Sequence, residues 1–188
     1  MGDTISSQEL IRRYLQDAIA SEHSYASQLE RLSNEGDDPY IQRLFAQHAT
    51  ETKHQQERLT ERLKQLGGSV STLKNVLGHV FSMAPKVSQF GHSNADTNTQ
   101  NLLLAYAIEQ SEVATYEALK AAAQAVRDTQ TASLVGEIQN EEQQMVQRIW
   151  GLLAQSARSS VERQTGESWQ AEPSPQPTAG TGTSPHIS

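Results

Sequence analysis

The stretch Glu51-Thr52-Lys53-His54 could bind a metal ion, because it places a carboxylate and an imidazole three residues apart. Residues at this spacing share one face of a helix. The stretch lies in a helical pattern over residues 38–66, at a point where the apolar stripe is interrupted by polar residues. Polar side chains in a helix interface need partners, since unpaired burial costs free energy. Glu-x-x-His on facing helices is a ligand pattern of two-metal iron and manganese bundles, so we interpret Glu51 and His54 as ligands.

A single Glu-x-x-His pair is weak evidence, because such pairs are common on the solvated faces of Glu-rich helices. The interpretation therefore needs carboxylates on other helices. Helical patterns over residues 4–34, 97–126 and 130–160 each contain glutamate near the middle of an apolar stripe. These candidate ligands are Glu22 in the first helix, Glu109 and Glu112 in the third, and Glu141 in the fourth. The sequence leaves open whether Glu109 or Glu112 is the main ligand of the third helix.

The two halves of the chain repeat with an offset of 90 residues, which separates Glu22 from Glu112 and Glu51 from Glu141. Each half therefore predicts two helices joined by a turn, with a carboxylate midway along each helix. Packed about a pseudo-two-fold axis, the halves would bring four carboxylates to one level of a bundle. This repeat is stronger evidence for a shared site than any single motif.

The repeat is imperfect at one position, because Gln144 stands where a counterpart of His54 would lie. A site with two histidines is therefore not expected, and Glu109 could supply a replacement ligand. The hydroxyl groups of tyrosines in the apolar stripes would form hydrogen bonds near the carboxylates. The residues that we expect to support the ligands are Tyr25, Tyr116, Glu142 and Gln144, with His48 as a further inner-face candidate.

The connections between helices predict the architecture. The link around residues 34–39 is short enough to make the first two helices antiparallel neighbours. Residues 67–98 are long enough to cross the bundle, with a short helix over residues 72–83. We predict an all-α four-helix bundle of two helix hairpins over residues 1–162. Residues 163–188 are rich in Pro, Ser, Gly and Thr, which is typical of a disordered tail.

Composition limits the class of protein. The formal net charge is −7 and no cluster of Lys and Arg is present, so we do not expect nucleic-acid binding. The absence of Cys excludes disulfides and thiolate metal sites. No apolar run is long enough to span a membrane and no secretory signal is evident, so we expect a cytoplasmic protein.

The order and spacing of these motifs resemble the ferritin-like superfamily, and within it the bacterial stress proteins of the YciE/YciF type. The similarity covers about residues 7–157, and its motifs are Asp17-Ala-x-x-Ser-Glu22, Glu51-x-x-His54-x-x-x-Arg58, Glu109-x-x-Glu112-x-x-x-Tyr116 and Glu141-Glu142. The resemblance implies a ferritin-like bundle, commonly a homodimer, with a di-metal site and a role in stress responses.

Two functions follow as hypotheses. The first is a ferritin-like di-metal stress protein with two iron ions, or iron and manganese, which would oxidise Fe²⁺ or handle O₂ or peroxide as a ferroxidase-like or peroxidase-like oxidoreductase. Carboxylate-rich ligation with one imidazole suits these metals. The alternative is a non-catalytic helical stress or interaction protein with a degenerate metal site. Metal analysis of the purified protein distinguishes the two hypotheses.

Overall fold

The structure is a computed structural model that describes residues 5–70 and 94–168. These residues form four α-helices and a short 3₁₀ turn at Asn94–Asp96, with no β-strand among them. The predicted all-α class is therefore confirmed for the described residues. The helices are α1 (Ser7–Leu32), α2 (Pro39–Gln65), α3 (Thr97–Ala125) and α4 (Thr129–Thr165).

Side-chain caps fix where three of the helices begin. The Ser6 hydroxyl accepts a hydrogen bond from the Glu9 backbone N–H at 3.1 Å at the start of α1. Asp38 caps α2 through the backbone N–H of Tyr40 at 2.8 Å, and Asp128 caps α4. These caps satisfy N–H groups that have no partner within their own helix. The sequence therefore sets the helix starts locally, before the bundle packs.

The helices pack as two antiparallel hairpins, α1 with α2 and α3 with α4. The hairpins meet through α1 against α3 and, more lightly, through α2 against α4. Gly36 lies in the first turn with φ of 75°, a conformation that a residue without a Cβ adopts at little cost. The result is the pair of helix hairpins that the 90-residue repeat predicts.

Two apolar clusters lie at different levels of the bundle, and polar residues separate them along every helix. One cluster contains Ile19 of α1 and Ile138 of α4, and the other contains Leu29 of α1 and Met145 of α4. Glu22 and Glu142 fall between these positions on their helices and are fully buried. The fold therefore encloses a charged layer between two apolar layers, which is expensive unless the charges are compensated.

Several sequence predictions fall outside the described residues. These are the short helix over residues 72–83, most of the 67–98 crossover, and the tail from residue 169 onwards. Helix α4 continues to Thr165, three residues beyond the predicted end of the bundle at 162. No helix in the described segments is long and apolar enough to span a membrane.

Candidate metal centre

Four glutamates from three helices lie buried with one histidine in the layer between the apolar clusters. Each of the five side chains belongs to a residue that is at most 3% exposed. Helix α1 contributes one of them, α2 contributes the histidine, α3 contributes two and α4 contributes one. We call this group the inner cluster, and it consists of Glu22, His48, Glu109, Glu112 and Glu142.

His48 contacts two glutamates of the inner cluster. Its Nε2 atom is 3.0 Å from Glu109 Oε1 and 3.5 Å from Glu142 Oε2. One ligand atom from each of these three residues lies within 4.8 Å of the others, a separation that a single metal ion can bridge. On the other side of the ring, Nδ1 is 3.2 Å from Glu51 Oε2. The ring is therefore held between buried carboxylates and a half-exposed one.

Two neutral side chains complete the surroundings of the inner cluster. The Tyr116 hydroxyl donates a hydrogen bond to Glu22 Oε1. The Gln55 amide donates to Glu142 Oε1 and, at 3.0 Å, to Glu141 Oε2. Gln55 therefore connects a buried carboxylate with a solvent-facing one on the same helix.

The inner cluster contains more buried acceptors than the surrounding protein satisfies. Glu22, Glu109, Glu112 and Glu142 each have one buried carboxyl oxygen without a hydrogen-bond partner. Buried polar atoms in native proteins are nearly always paired, so such a concentration requires an explanation. A bound cation coordinated by these oxygens would provide one.

Burial and mutual repulsion oppose ionisation of the carboxyl groups. The pKa of Glu112 is raised well above its ordinary value by burial and by the charges of Glu22, Glu142 and Glu109. Burial also raises the pKa of Glu22 strongly, helped by Glu142 and opposed by the hydrogen bond from Tyr116. The same effect raises the pKa of Glu109 to about 8, although His48 opposes it. Without a cation, the inner cluster cannot carry the full charge of its four carboxylates.

His48 compensates part of this charge. Burial alone would lower its pKa, but the charge of Glu109, the hydrogen bonds with Glu109 and Glu51 and the nearby Glu142 carboxylate raise the pKa to about 12. Burial raises the pKa of Glu142, yet its contacts with His48 and Glu109 and the hydrogen bond from Gln55 outweigh burial and lower it. One imidazolium therefore shares this buried layer with four carboxyl groups.

The predicted site residues fall into two groups. Glu22, Glu109 and Glu112 lie together in the inner cluster, so both third-helix candidates reach it. Glu142, predicted as a supporting residue, is also a member. Tyr116 contacts the cluster through Glu22. Tyr25 is buried, and its pKa is raised to about 12 by burial and by the charges of Glu112, Glu22 and Glu109.

The other predicted residues lie outside the inner cluster. Glu51 is at its edge, with a side chain that is 43% exposed. The His54 side chain is 72% exposed and its Nδ1 atom is 3.4 Å from Glu57. Glu141 pairs with Arg58 on the outer side of α2 and α4, and Gln144 is exposed. The spacing Glu51-x-x-His54 is thus present on the helix, but the structure does not bring His54 to the cluster.

Helix phase explains this difference. The inner face of α2 runs through His48, Thr52, Gln55 and Leu59, all buried. A shift of one residue turns a side chain by about 100° around the helix, so the position of His54 faces outward. Thr52 lies 90 residues before Glu142, which puts these two residues at equivalent positions of the repeat.

The apolar residues of α2 and α4 indicate in the sequence which positions face inward. Steps of three and four from Phe45 lead through His48, Thr52 and Gln55 to Leu59. The corresponding steps in α4 pass through Glu142 between Ile138 and Met145. Following the apolar stripe, instead of the Glu-x-x-His motif, identifies His48 and Glu142 as the inner polar residues.

The family model described as "Domain of unknown function (DUF892)" matches residues 6–162. This chain belongs to the DUF892 family. Among solved structures, it is similar to a protein (XCC3681) from Xanthomonas campestris, with 23% identity, a TM-score of 0.69, and coverage of 85% of this chain and 99% of that one. The E. coli stress protein YciF has 18% identity, a TM-score of 0.69, and coverage of 82% and 98%.

A Dps protein from Bacillus brevis is also similar, with 18% identity, a TM-score of 0.65, and coverage of 80% of this chain and 99% of that one. These structures establish a ferritin-like fold for the DUF892 chain. The resemblance to YciE/YciF-type proteins predicted from the sequence is confirmed. The fold contains a buried cluster of histidine and glutamate that could hold a metal ion.

Proposed function

We propose that this DUF892 protein is a ferritin-like metal carboxylate protein that binds up to two iron ions, or iron and manganese, at the inner cluster. The observation that carries the proposal is the set of four buried glutamates, each with a carboxyl oxygen that has no hydrogen-bond partner. A cation would remove both the unpaired acceptors and the repulsion between the carboxylates. The residues assigned as ligands are Glu22, His48, Glu109, Glu112 and Glu142.

The donor set favours iron or manganese. Four carboxylates and one imidazole form a hard, oxygen-rich site, which suits these metals better than it suits Cu(I) or a structural Zn²⁺. Glu109 and Glu142 both approach His48 Nε2, and Glu22 and Glu112 occupy equivalent positions on α1 and α3. The proposed metal site therefore has one part that contains the imidazole and another that contains only carboxylates.

His48 has a defined role in this proposal. A ligating imidazole must be neutral, so His48 would release its Nε2 proton on binding while Nδ1–H donates to Glu51. The carboxylate of Glu51 then fixes the tautomer and the orientation of the ring. Glu51, which the sequence predicts as a ligand, is proposed here as the residue that orients His48.

When bound, a pair of such ions would supply Lewis acidity and redox capacity toward O₂ or peroxide. The proposed reaction class is ferroxidase-like or peroxidase-like, with Fe²⁺, O₂ or peroxide as substrates and a role in stress. Tyr116 keeps Glu22 oriented through its hydroxyl, and the flanking apolar layers exclude water. We also propose that the protein is cytoplasmic and that it forms a homodimer, the latter as the family resemblance implies.

Adjacent residues on α4 provide a matched test. Glu142 is fully buried in the inner cluster, whereas the side chain of Glu141 is 43% exposed. Elemental analysis after growth with iron and manganese should find up to two ions per chain in the wild type and in Glu141→Gln. Glu142→Gln should lose at least one ion. Equal metal content in both variants, or none in the wild type, would contradict the proposal.

A second candidate is a non-catalytic helical stress or interaction protein with a degenerate site. Gln55 and Met145 are buried at equivalent positions of the repeat, and neither is a strong ligand for iron. This observation favours the second candidate. The cluster would then be neutralised by proton sharing around His48. Wild-type protein that binds neither Fe²⁺ nor Mn²⁺ at micromolar concentrations would support this candidate.

A further inference from the structure

The outer side of the α2–α4 interface contains a cavity. The cavity measures about 370 Å³ and is lined by residues of both helices, including Glu51, Arg58, Glu141 and Arg148. Helices α2 and α4 contact each other more lightly than α1 and α3 do. The α2–α4 face can therefore open with less loss of packing than the α1–α3 face.

Two polar chains join this cavity to the buried residues. In the first, Glu51 at the cavity wall contacts His48 Nδ1 at 3.2 Å. In the second, Gln55 Nε2 contacts Glu141 at the cavity and Glu142 in the cluster. A larger groove of about 750 Å³ on α1 and α2 is lined by none of the cluster residues or their hydrogen-bond partners. The α2–α4 cavity is thus connected to the cluster by side chains that can exchange partners.

An ion pair lies across this route. Arg58 of α2 contacts Glu141 Oε2 of α4, and Gln55 donates to the same oxygen. Arg148 also lines the cavity. Arg58 and Arg148 occupy equivalent positions of the repeat, as do Glu51 and Glu141. The cavity is therefore lined by two pairs of acidic and basic residues that are related by the repeat.

We propose that the α2–α4 face is the access route for divalent cations, and that the Arg58–Glu141 ion pair is its gate. This inference rests on the proposed metal function of the inner cluster. Opening requires Arg58 to leave Glu141, which separates the two side chains that lie across the route. Gln55 then releases Glu141 and keeps its contact with Glu142, which clears the path to the buried carboxylates.

The gate and a purely electrostatic effect predict opposite changes in the rate of cation binding for Glu141→Gln. If the ion pair closes the route, both Arg58→Gln and Glu141→Gln should speed cation binding. If only the local charge matters, Arg58→Gln should speed binding and Glu141→Gln should slow it. A partly exposed ion pair is weak, so the gate should change rates by about two- to fivefold, while the equilibrium affinity changes less than twofold.

Stopped-flow absorbance with Co²⁺ as the probe tests this design on the full chain. Association rates are read from the visible bands of bound Co²⁺, and dissociation rates are read after adding excess EDTA. Arg43→Gln on α2 and Glu137→Gln on α4 are matched controls, because both residues are exposed and away from the cavity. The double variant Arg58→Gln with Glu141→Gln should be no faster than either single variant, as expected for residues that share one interaction.

The outcomes separate the two proposals. Faster association and faster release in both single variants, with unchanged controls, would support the gate. Slower association in Glu141→Gln, or rates equal to those of the controls, would overturn the gate while leaving metal binding intact. If the wild type gives neither Co²⁺ bands nor a rise in melting temperature with Co²⁺, the metal function fails and the gate fails with it.

Discussion

Replacing Glu112 with Gln should stabilise the metal-free protein, although it removes a proposed ligand. The interactions that shift its pKa, namely burial and the charges of Glu22, Glu142 and Glu109, all act against ionisation. In the unfolded chain the carboxyl ionises near its ordinary value of 4.5. Folding at higher pH must therefore protonate Glu112 or bury its charge, and Gln avoids both costs.

The size of the effect has a ceiling that does not depend on the folded pKa. Each pH unit above 4.5 costs about 1.4 kcal/mol, so the cost at pH 7 is at most roughly 3.4 kcal/mol. The Gln amide also needs partners, and we expect a net gain of about 1–2 kcal/mol. For a domain of this size that gain corresponds to about 2–8 °C in melting temperature.

Measurements at several pH values test whether Glu112→Gln stabilises the metal-free protein. A raised carboxyl pKa destabilises the fold only above the unfolded value, so the gain should vanish below about pH 4.5 and grow toward neutral pH. Urea unfolding of EDTA-treated protein at pH 4, 5.5 and 7 measures this, with the exposed Glu137→Gln as control. Added Co²⁺ should reverse the order, because the wild type binds more tightly. A loss of stability at pH 7, or a gain that does not change with pH, would refute the reasoning.

Three further changes have expected outcomes. Asp128→Ala should cost about 1–2 kcal/mol, since the residue caps α4. Hydrogen bonds outweigh burial and lower the pKa of Asp128, so its contribution is present above pH 3.8 and lost as the pH falls further, which acid unfolding measures. Gly36→Ala should destabilise by about 1–3 kcal/mol at φ of 75°, whereas Gly151→Ala, with open space around it, should stabilise by about 0.5–1 kcal/mol in urea melts. Met145→His should tighten Co²⁺ binding in titrations, while Gln144→His on the exposed face should not.

The sequence determined the helices and their repetition. Ser6 and Asp38 mark helix starts through bonds to backbone groups two or three residues away, and such local interactions can be read directly from sequence. The predicted start of the third helix at about residue 97 agrees with α3, which begins at Thr97. The offset of 90 residues also found Glu22 and Glu112, because both interrupt apolar stripes at equivalent positions.

Tertiary structure decided which of several nearby polar residues on α2 and on α4 faces inward. Glu141 and Glu142 are adjacent in sequence, and one residue corresponds to a turn of about 100°, so a motif search alone does not separate them. Packing of the apolar residues on either side turned Glu142 inward and left Glu141 with Arg58. The same constraint turned His48 inward and His54 toward solvent.

The contacts within the inner cluster also depend on packing between distant segments. His48 and Glu109 are 61 positions apart in the chain, and their 3.0 Å contact exists because the two hairpins dock. Local sequence specifies that each helix has a polar residue within its apolar stripe. Which of these residues share a contact depends on the relative rotation of four helices, and that rotation is fixed by burying the apolar layers above and below them.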